Sequence, residues 1–361
     1  MITNSLAISR SKFGDICSTI LISPSICNLA GEYDDDNKSN SNRRKRSGRK
    51  LTWFRPLRVA PASLSRGSEQ IPESWRTAEF ASSSPPSLSL SDGSPLGFSL
   101  ESDEKRGNEA VENLIKSGVS DVLFHQLDVS DPASNASLAE FIKIQFGKVD
   151  ILVNNAAVSG MELEPQFIDL LKEQDGIVNK IKIIDGAKQT YEMAKECLNI
   201  NYYGTKRVAE ALIPLLQLSP SPRIVNVSTL FGQLNFIPNK NIQKELSDVD
   251  DQTEEKLNQL LHRFLNDIQE NKLEENGWPT QKAAYTVSKV AMNTYTRILA
   301  KKFPTFCINC VNPGFVKTDL NWNSGIISTE EAATCPVMLA LLPDGGPSGL
   351  FYQNMAEISF E

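Results

Sequence analysis

DVLFHQLDVSDPASNASLAEFIKIQFGKVDILVNNA, from Asp121 to Ala156, holds the pattern that decides the fold. Asp121 to Val129 reads as a strand. Asp131-Pro132 then supplies a helix cap followed by proline at the first helical position, where its missing N–H costs nothing. Leu138, Phe141, Ile142 and Phe146 recur at the spacing of one helix face. Val149 to Ala156 is a short, strongly apolar strand of the kind buried on both faces. The unit is strand, helix, strand, and it repeats outward. Upstream, Asp103 to Lys116 is helical, with Val111, Leu114 and Ile115 on one side and Gly118 just past the end. Downstream, a helical region from Thr190 to Leu216 precedes a strand from Arg223 to Ser228, and a helix from Thr280 to Lys302 precedes a strand from Ile308 to Val311. Such alternation predicts a mostly parallel α/β sheet covered on both faces.

Residues 232–284 interrupt the repeat. Leu257, Leu260, Leu261, Phe264, Leu265 and Ile268 form an apolar stripe at helical spacing there, which is expected to pack onto the domain.

Of the 361 residues, 40% are apolar, enough for a substantial core, and the formal charge of −7 gives no reason to expect nucleic acid or an anionic membrane as partner. No apolar run approaches the roughly 18 residues of a membrane span. The six cysteines are sparse and irregular, which points to a reducing compartment and by default the cytoplasm. Cys307 and Cys310 form a C-x-x-C with no second pair nearby, and read as strand packing. Residues 1–100 differ in character: rich in Ser and Pro, with the basic run Arg43-Arg44-Lys45-Arg46, they are expected to be a disordered tail, with the folded domain spanning 101–361.

The chemistry centres on Tyr285-Thr286-Val287-Ser288-Lys289. Spacing i, i+4 places a phenol and an ammonium on one helix face, and a cation beside a phenol draws its pKa toward the working range for proton transfer. Around them stand Asn154-Asn155-Ala156-Ala157, Val227-Ser228-Thr229 and Asn312-Pro313-Gly314, each at a strand end, and Asn201 in a helix. In open α/β sheets ligands bind outside the carboxyl ends of the strands, where these groups gather.

From about Asp103 to the end, the order Asp128-Val129, Asn154-Asn155-Ala156-Ala157, Asn201, Val227-Ser228, Tyr285/Lys289 and Pro313-Gly314 resembles the short-chain dehydrogenase/reductases. The insertion before the tyrosine, Glu275-Asn276-Gly277-Trp278-Pro279 and Ala340-Leu341-Leu342-Pro343 resemble their monomeric carbonyl reductase branch, particularly plant members acting on terpenoid and alkaloid ketones. The resemblance implies a Rossmann-type doubly wound sheet, NADPH as cofactor, a small-molecule carbonyl substrate and a monomer. It makes Tyr285 the acid/base, Lys289 its partner and a ligand of the nicotinamide ribose, and Asn201 the holder of a relay water. It places Asp128 and Val129 at the adenine, Asn154 and Ala156 near the cofactor ribose, and Pro313, Val316 and Thr318 at the nicotinamide.

Three departures stand out. The family serine aligns with Thr229 rather than Ser228. The last residue of the family's N-N-A-G is Ala157. The third is the absence, before Leu100, of the strand, glycine-rich T-G-x-x-x-G-x-G turn, helix and second strand with which the family opens; Ser91-Asp92-Gly93-Ser94-Pro95-Leu96-Gly97 is a poor substitute for the turn. Ser102 stands where the family commonly has an arginine for the 2′-phosphate, with Lys105 and Arg106 as substitutes. The function expected is NADPH-dependent reduction of a ketone or aldehyde, and the alternative is a truncated, non-catalytic relative with weak or no cofactor binding.

Overall fold

The computed structural model describes residues 19–22, 97–101, 104–116, 122–174 and 176–361. Its described elements belong to one compact unit formed by Met1–Glu32 with Ser94–Glu361. The basic run and the glycines at 93 and 31 lie outside the described residues.

In chain order the elements are β1 (Thr19–Ile22), β2 (Gly97–Glu101), α1 (Glu104–Lys116), β3 (Val122–Gln126), α2 (Pro132–Phe146), β4 (Ile151–Asn154), α3 (Pro165–Glu173) and α4 (Ile177–Asp185). There follow α5 (Tyr191–Leu198), a π-helical turn (Asn199–Gly204), α6 (Thr205–Leu216), β5 (Arg223–Val227), α7 (Lys240–Ser247) and α8 (Glu254–Gln269). The chain closes with α9 (Ala283–Lys302), β6 (Cys307–Asn312), α10 (Thr329–Ala340), β7 (Phe351–Gln353) and β8 (Ala356–Ile358). One eight-stranded sheet runs β3-β2-β1-β4-β5-β6-β7-β8. Every neighbouring pair is parallel except β7 with β8. The strand order reverses between β1 and β4, which opens a crevice at their carboxyl ends.

Most of residues 1–100, expected to be a disordered tail, lies outside the described residues, apart from the strands β1 and β2. Ile20 pairs with both Phe98 and Leu152, so Thr19–Ile22 and Gly97–Glu101 occupy two interior places in the sheet. Strands inside a parallel sheet need not alternate, so the short run Thr19-Ile20-Leu21-Ile22 shows no period from which to read it.

Alternation across the pleat explains the two cores. Leu152, Ile224 and Ile308 face one side, where they join Leu212, Leu261, Phe264 and Val290 from the helices. Ile151, Val153, Val225 and Val311 face the other side and pack with Leu339 of α10. Helices thus cover both faces, as the sequence predicts. Asp131 caps α2 by accepting from the Ala133 and Ser134 amides, with Pro132 at the first helical position. In α8, Leu257, Leu260, Leu261 and Phe264 are buried, and Leu265 and Ile268 pack against them, so the stripe in the insertion serves the core. Cys307 and Cys310 are buried free thiols on β6, in keeping with strand packing.

The helical region from Thr190 to Leu216 is not continuous. Thr190 caps α5, and the π-helical turn at Asn199–Gly204 separates it from α6. Helices α3 and α4 stand between β4 and α5, where the sequence reading places no element, although Ile177, Ile181 and Ile184 recur at helical spacing in α4.

Candidate active site

A cavity of about 510 Å³ opens at the carboxyl ends of β4, β5 and β6. Tyr285, Lys289, Ser228, Thr229, Pro313, Val316 and Thr318 all line it, as does Gly314. The sequence places these residues on separate elements, and the sheet brings their strand ends to one edge.

Tyr285 and Lys289 project from the first two turns of α9. Lys289 is buried, its Nζ donates to the Val227 carbonyl at 2.8 Å, and it lies 6.0 Å from the Tyr285 ring centroid. Burial lowers the ammonium from its ordinary 10.5 to about 8. Tyr285 is half-buried overall, but its hydroxyl sits in a desolvated setting. That burial pushes the phenol well above its usual range, while a hydrogen bond with the Thr229 side chain works in the opposite sense. Burial thus favours the neutral phenol, the form that can donate a proton. The tyrosine carbonyl in turn accepts from Ser288 Oγ at 2.8 Å.

Thr229 and Ser228 are separated by this geometry. Thr229 reaches the phenol. Ser228 Oγ is buried without a hydrogen-bond partner and lies against Gly232, where an added Cβ would stand 2.7 Å from it. The residue aligned with the family serine is thus also the one that meets Tyr285.

Asn201 is fully buried in the π-helical turn. Its Oδ1 accepts from the Val158 amide at 2.8 Å, and its Nδ2 donates to the Val158 carbonyl at 2.9 Å and to Ser288 Oγ at 3.0 Å. The side chain clamps the segment after β4 to α9 and does not line the cavity. Hydrogen bonds occupy both ends of its amide and position the segment after β4 against α9.

Two expectations are corrected by the pleat of β4. Asn154 turns inward and donates to Asn226 Oδ1 at 2.9 Å, and Ala156 joins the core. Their neighbours Asn155 and Ala157 line the cavity instead. Asp128 and Val129 lie beyond the end of β3 and outside the cavity wall. Asp128 Oδ1 accepts from the Ser130 amide at 2.8 Å, and Val129 packs against Gly204.

The loop after β6 fits a nicotinamide. Gly314 has φ +90°, and an added Cβ would stand 2.4 Å from Ile327 Cδ1, so only glycine is accommodated where the backbone turns at the cavity wall. Asn321 Nδ2 donates to the Val316 carbonyl at 2.7 Å, which fixes the turn beside Thr318. Pro313, Val316, Thr318, Tyr285 and Lys289 thus line the same cavity, and are the residues that would hold a nicotinamide and its ribose. Directly after β1 the sequence reads Ser23-Pro24-Ser25-Ile26-Cys27-Asn28, without the glycines of the family turn. Those residues lie outside the described ones, as do Ser102 and the stretch before Gly97. Lys105 is exposed and pairs with Glu109.

The remaining wall is mostly apolar and was not anticipated from the sequence. Ile177, Ile181 and Ile184 of α4 line the cavity together with Phe231, Trp322 and Ile327.

A family model described as short chain dehydrogenase matches residues 93–240. Short-chain dehydrogenase/reductase 1 of Saponaria officinalis is 52% identical over 263 residues, covering 72% of this chain and 86% of that protein. (+)-Neomenthol dehydrogenase of Arabidopsis thaliana is 51% identical over 256 residues, covering 70% and 85%. The solved structure of salutaridine reductase from Papaver somniferum superimposes with a TM-score of 0.68 at 47% identity, covering 71% of this chain and 90% of that one. With an interior parallel sheet, a Tyr285/Lys289 pair at its carboxyl edge and this level of identity, the chain belongs to the short-chain dehydrogenase family of oxidoreductases.

Proposed function

We propose that the protein reduces a ketone or aldehyde on a small apolar molecule with NADPH. The observation that carries this reading is the Tyr285/Lys289 pair, with Thr229 beside it, at the wall of a mostly apolar cavity. Relatives include a (+)-neomenthol dehydrogenase, a salutaridine reductase and a carbonyl reductase whose name specifies NADPH.

In this reading a substrate carbonyl rests between Tyr285 and Thr229. A nicotinamide held by Lys289, Pro313, Val316 and Thr318 would supply the hydride for the carbonyl carbon. Tyr285 gives its proton to the carbonyl oxygen, and Thr229 orients that oxygen by hydrogen bonding. Lys289 would hold the nicotinamide ribose and stabilises negative charge on the phenol as its proton leaves, while Val316 and Thr318 would hold the carboxamide. Asn201 and Ser288 set the position of α9. The apolar wall from α4 excludes water and selects for hydrocarbon bulk. We place the protein in the cytoplasm as a monomer, the insertion from Gly232 to Ala284 covering helix surface that would otherwise be free for association.

The test is turnover of a panel of monocyclic and polycyclic ketones with NADPH, followed through nicotinamide absorbance, with Tyr285→Phe as control. Tyr285-dependent oxidation of NADPH supports the reading, and its absence across the panel overturns it. A second reading, a family member that no longer turns over, is favoured by one observation: the sequence after β1 lacks the glycine turn that admits a pyrophosphate.

A further inference from the structure

A second, smaller space of about 260 Å³ adjoins the substrate cavity. Ile181, Phe231, Phe236 and Lys282 line both, so these side chains form the partition. Lys282 is its charged member. It stands just before α9, only 8% exposed, and its ammonium forms an ion pair with Asp185 at the end of α4. That ammonium also lies 5.3 Å from the centroid of the Phe231 ring.

Local forces disfavour a lysine here three times over. Its backbone is left-handed, at φ 49° and ψ 32°, which residues with a Cβ rarely adopt. A cation at a helix N-terminus opposes the helix dipole. Burial strips the ammonium of water. The compensation comes from a distant segment. Asp185 accepts no hydrogen bond at its buried Oδ1 from elsewhere and meets the ammonium directly. The remainder of α4 is held by Lys180, which donates to the Ser324 carbonyl at 3.3 Å, and by Ile184 in a small apolar cluster with Leu163 and Leu171.

We propose that the Lys282–Asp185 pair pins the end of α4 as a partition, which makes Lys282 a specificity-determining residue that limits the substrate space to the main cavity. Releasing the pair joins the two spaces and admits ketones too bulky for the main cavity alone. The pair neutralises the one cation of the partition while closed, which keeps the wall suited to apolar substrates. The kinetic consequence rests on the proposed carbonyl reduction; the pinning does not.

The experiment compares the full chain with Lys282→Met, Asp185→Asn and the double variant Lys282→Met/Asp185→Leu. Amide hydrogen exchange of residues 177–185 is read against α2 as internal reference. Pinning predicts exchange at least about tenfold faster in α4, with α2 unchanged, in all three variants. The double variant leaves no buried charge without a partner, so it carries the comparison if a single variant fails to fold. Wild-type exchange rates in α4 of the folded variants overturn the proposal, whether or not any form is active. In forms that reduce ketones, the ratio of kcat/KM for a polycyclic over a monocyclic ketone rises by about tenfold or more, through KM rather than kcat. An unchanged ratio overturns the specificity role. Failure of every form, wild type included, to reduce any ketone refutes the proposed function, and the exchange result then decides the pinning by itself.

Discussion

Lys289 Nζ lies 6.0 Å from the centroid of the Tyr285 ring and spends a hydrogen bond on the Val227 carbonyl, so one ammonium links the catalytic helix α9 to the end of β5. The strand end that carries Ser228 and Thr229 is thereby held against the helix that carries the phenol. This arrangement dictates most of what mutation should do.

Replacing Tyr285 with Phe removes the proton donor and little else, because the ring remains. Carbonyl reduction is expected to fall by roughly 10² to 10⁴, the usual worth of general acid catalysis, with the melting temperature nearly unchanged. Steady-state kinetics and a thermal melt on the same preparation check both halves.

Thr229 and Ser228 should respond oppositely. Thr229→Ala removes the hydrogen bond to the phenol and is expected to lower kcat about tenfold or more, whereas Ser228→Ala removes a hydroxyl that has no partner and should leave kcat within about twofold. Thr229→Ser keeps the hydroxyl and sheds the methyl, so turnover should be retained or rise. A larger loss at Ser228 than at Thr229 would reverse the assignment.

The buried lysine predicts a pH dependence of stability. Its folded pKa is depressed to about 8 from 10.5, so between those values the unfolded chain binds a proton that the folded one lacks. Stability from this group therefore rises as pH rises through that window and is least below about 8. Relative to Lys289→Met, the wild type should gain on the order of 3 kcal/mol between pH 7 and 10.5. Urea unfolding of both proteins across that range measures it, and parallel curves would contradict it.

Cofactor affinity should be weak. Two or three amide bonds to a charged pyrophosphate are worth about 1.5–3 kcal/mol each, so a chain without the glycine turn should bind NADPH at least about 10²-fold less tightly than one carrying it. Calorimetry on the wild type, and on a variant with a family-type turn grafted after Ile22, gives the comparison. A low-micromolar Kd for the wild type would show that other residues supply the cradle.

The core role of the insertion is open to a direct check. Phe264 is fully buried and packs edge-on against Trp278, with ring centroids 5.1 Å apart. Phe264→Ala should cost about 3–5 kcal/mol in urea unfolding. Light scattering on the wild type should give the mass of one chain.

The sequence by itself determined the elements whose signal is local. Asp131-Pro132, the stripe from Leu257 to Phe264, and the i, i+4 spacing of Tyr285 and Lys289 each rest on contacts within a few residues, and the α/β alternation follows from them. Tertiary structure decided what depends on partners far along the chain. Thr19–Ile22 becomes a strand because β2 and β4 flank it, and nothing in four residues reveals that. Asn154 faces Asn226 while Asn155 faces the cavity, a choice made by the pleat of β4 once its neighbours are in place. Asn201 loses its amide to Val158 and Ser288 through a π-helical turn that the helical pattern conceals. Lys282 finds Asp185 only after α4 folds over the strand ends, for electrostatic pairing depends on distance in space and carries no periodic trace in sequence.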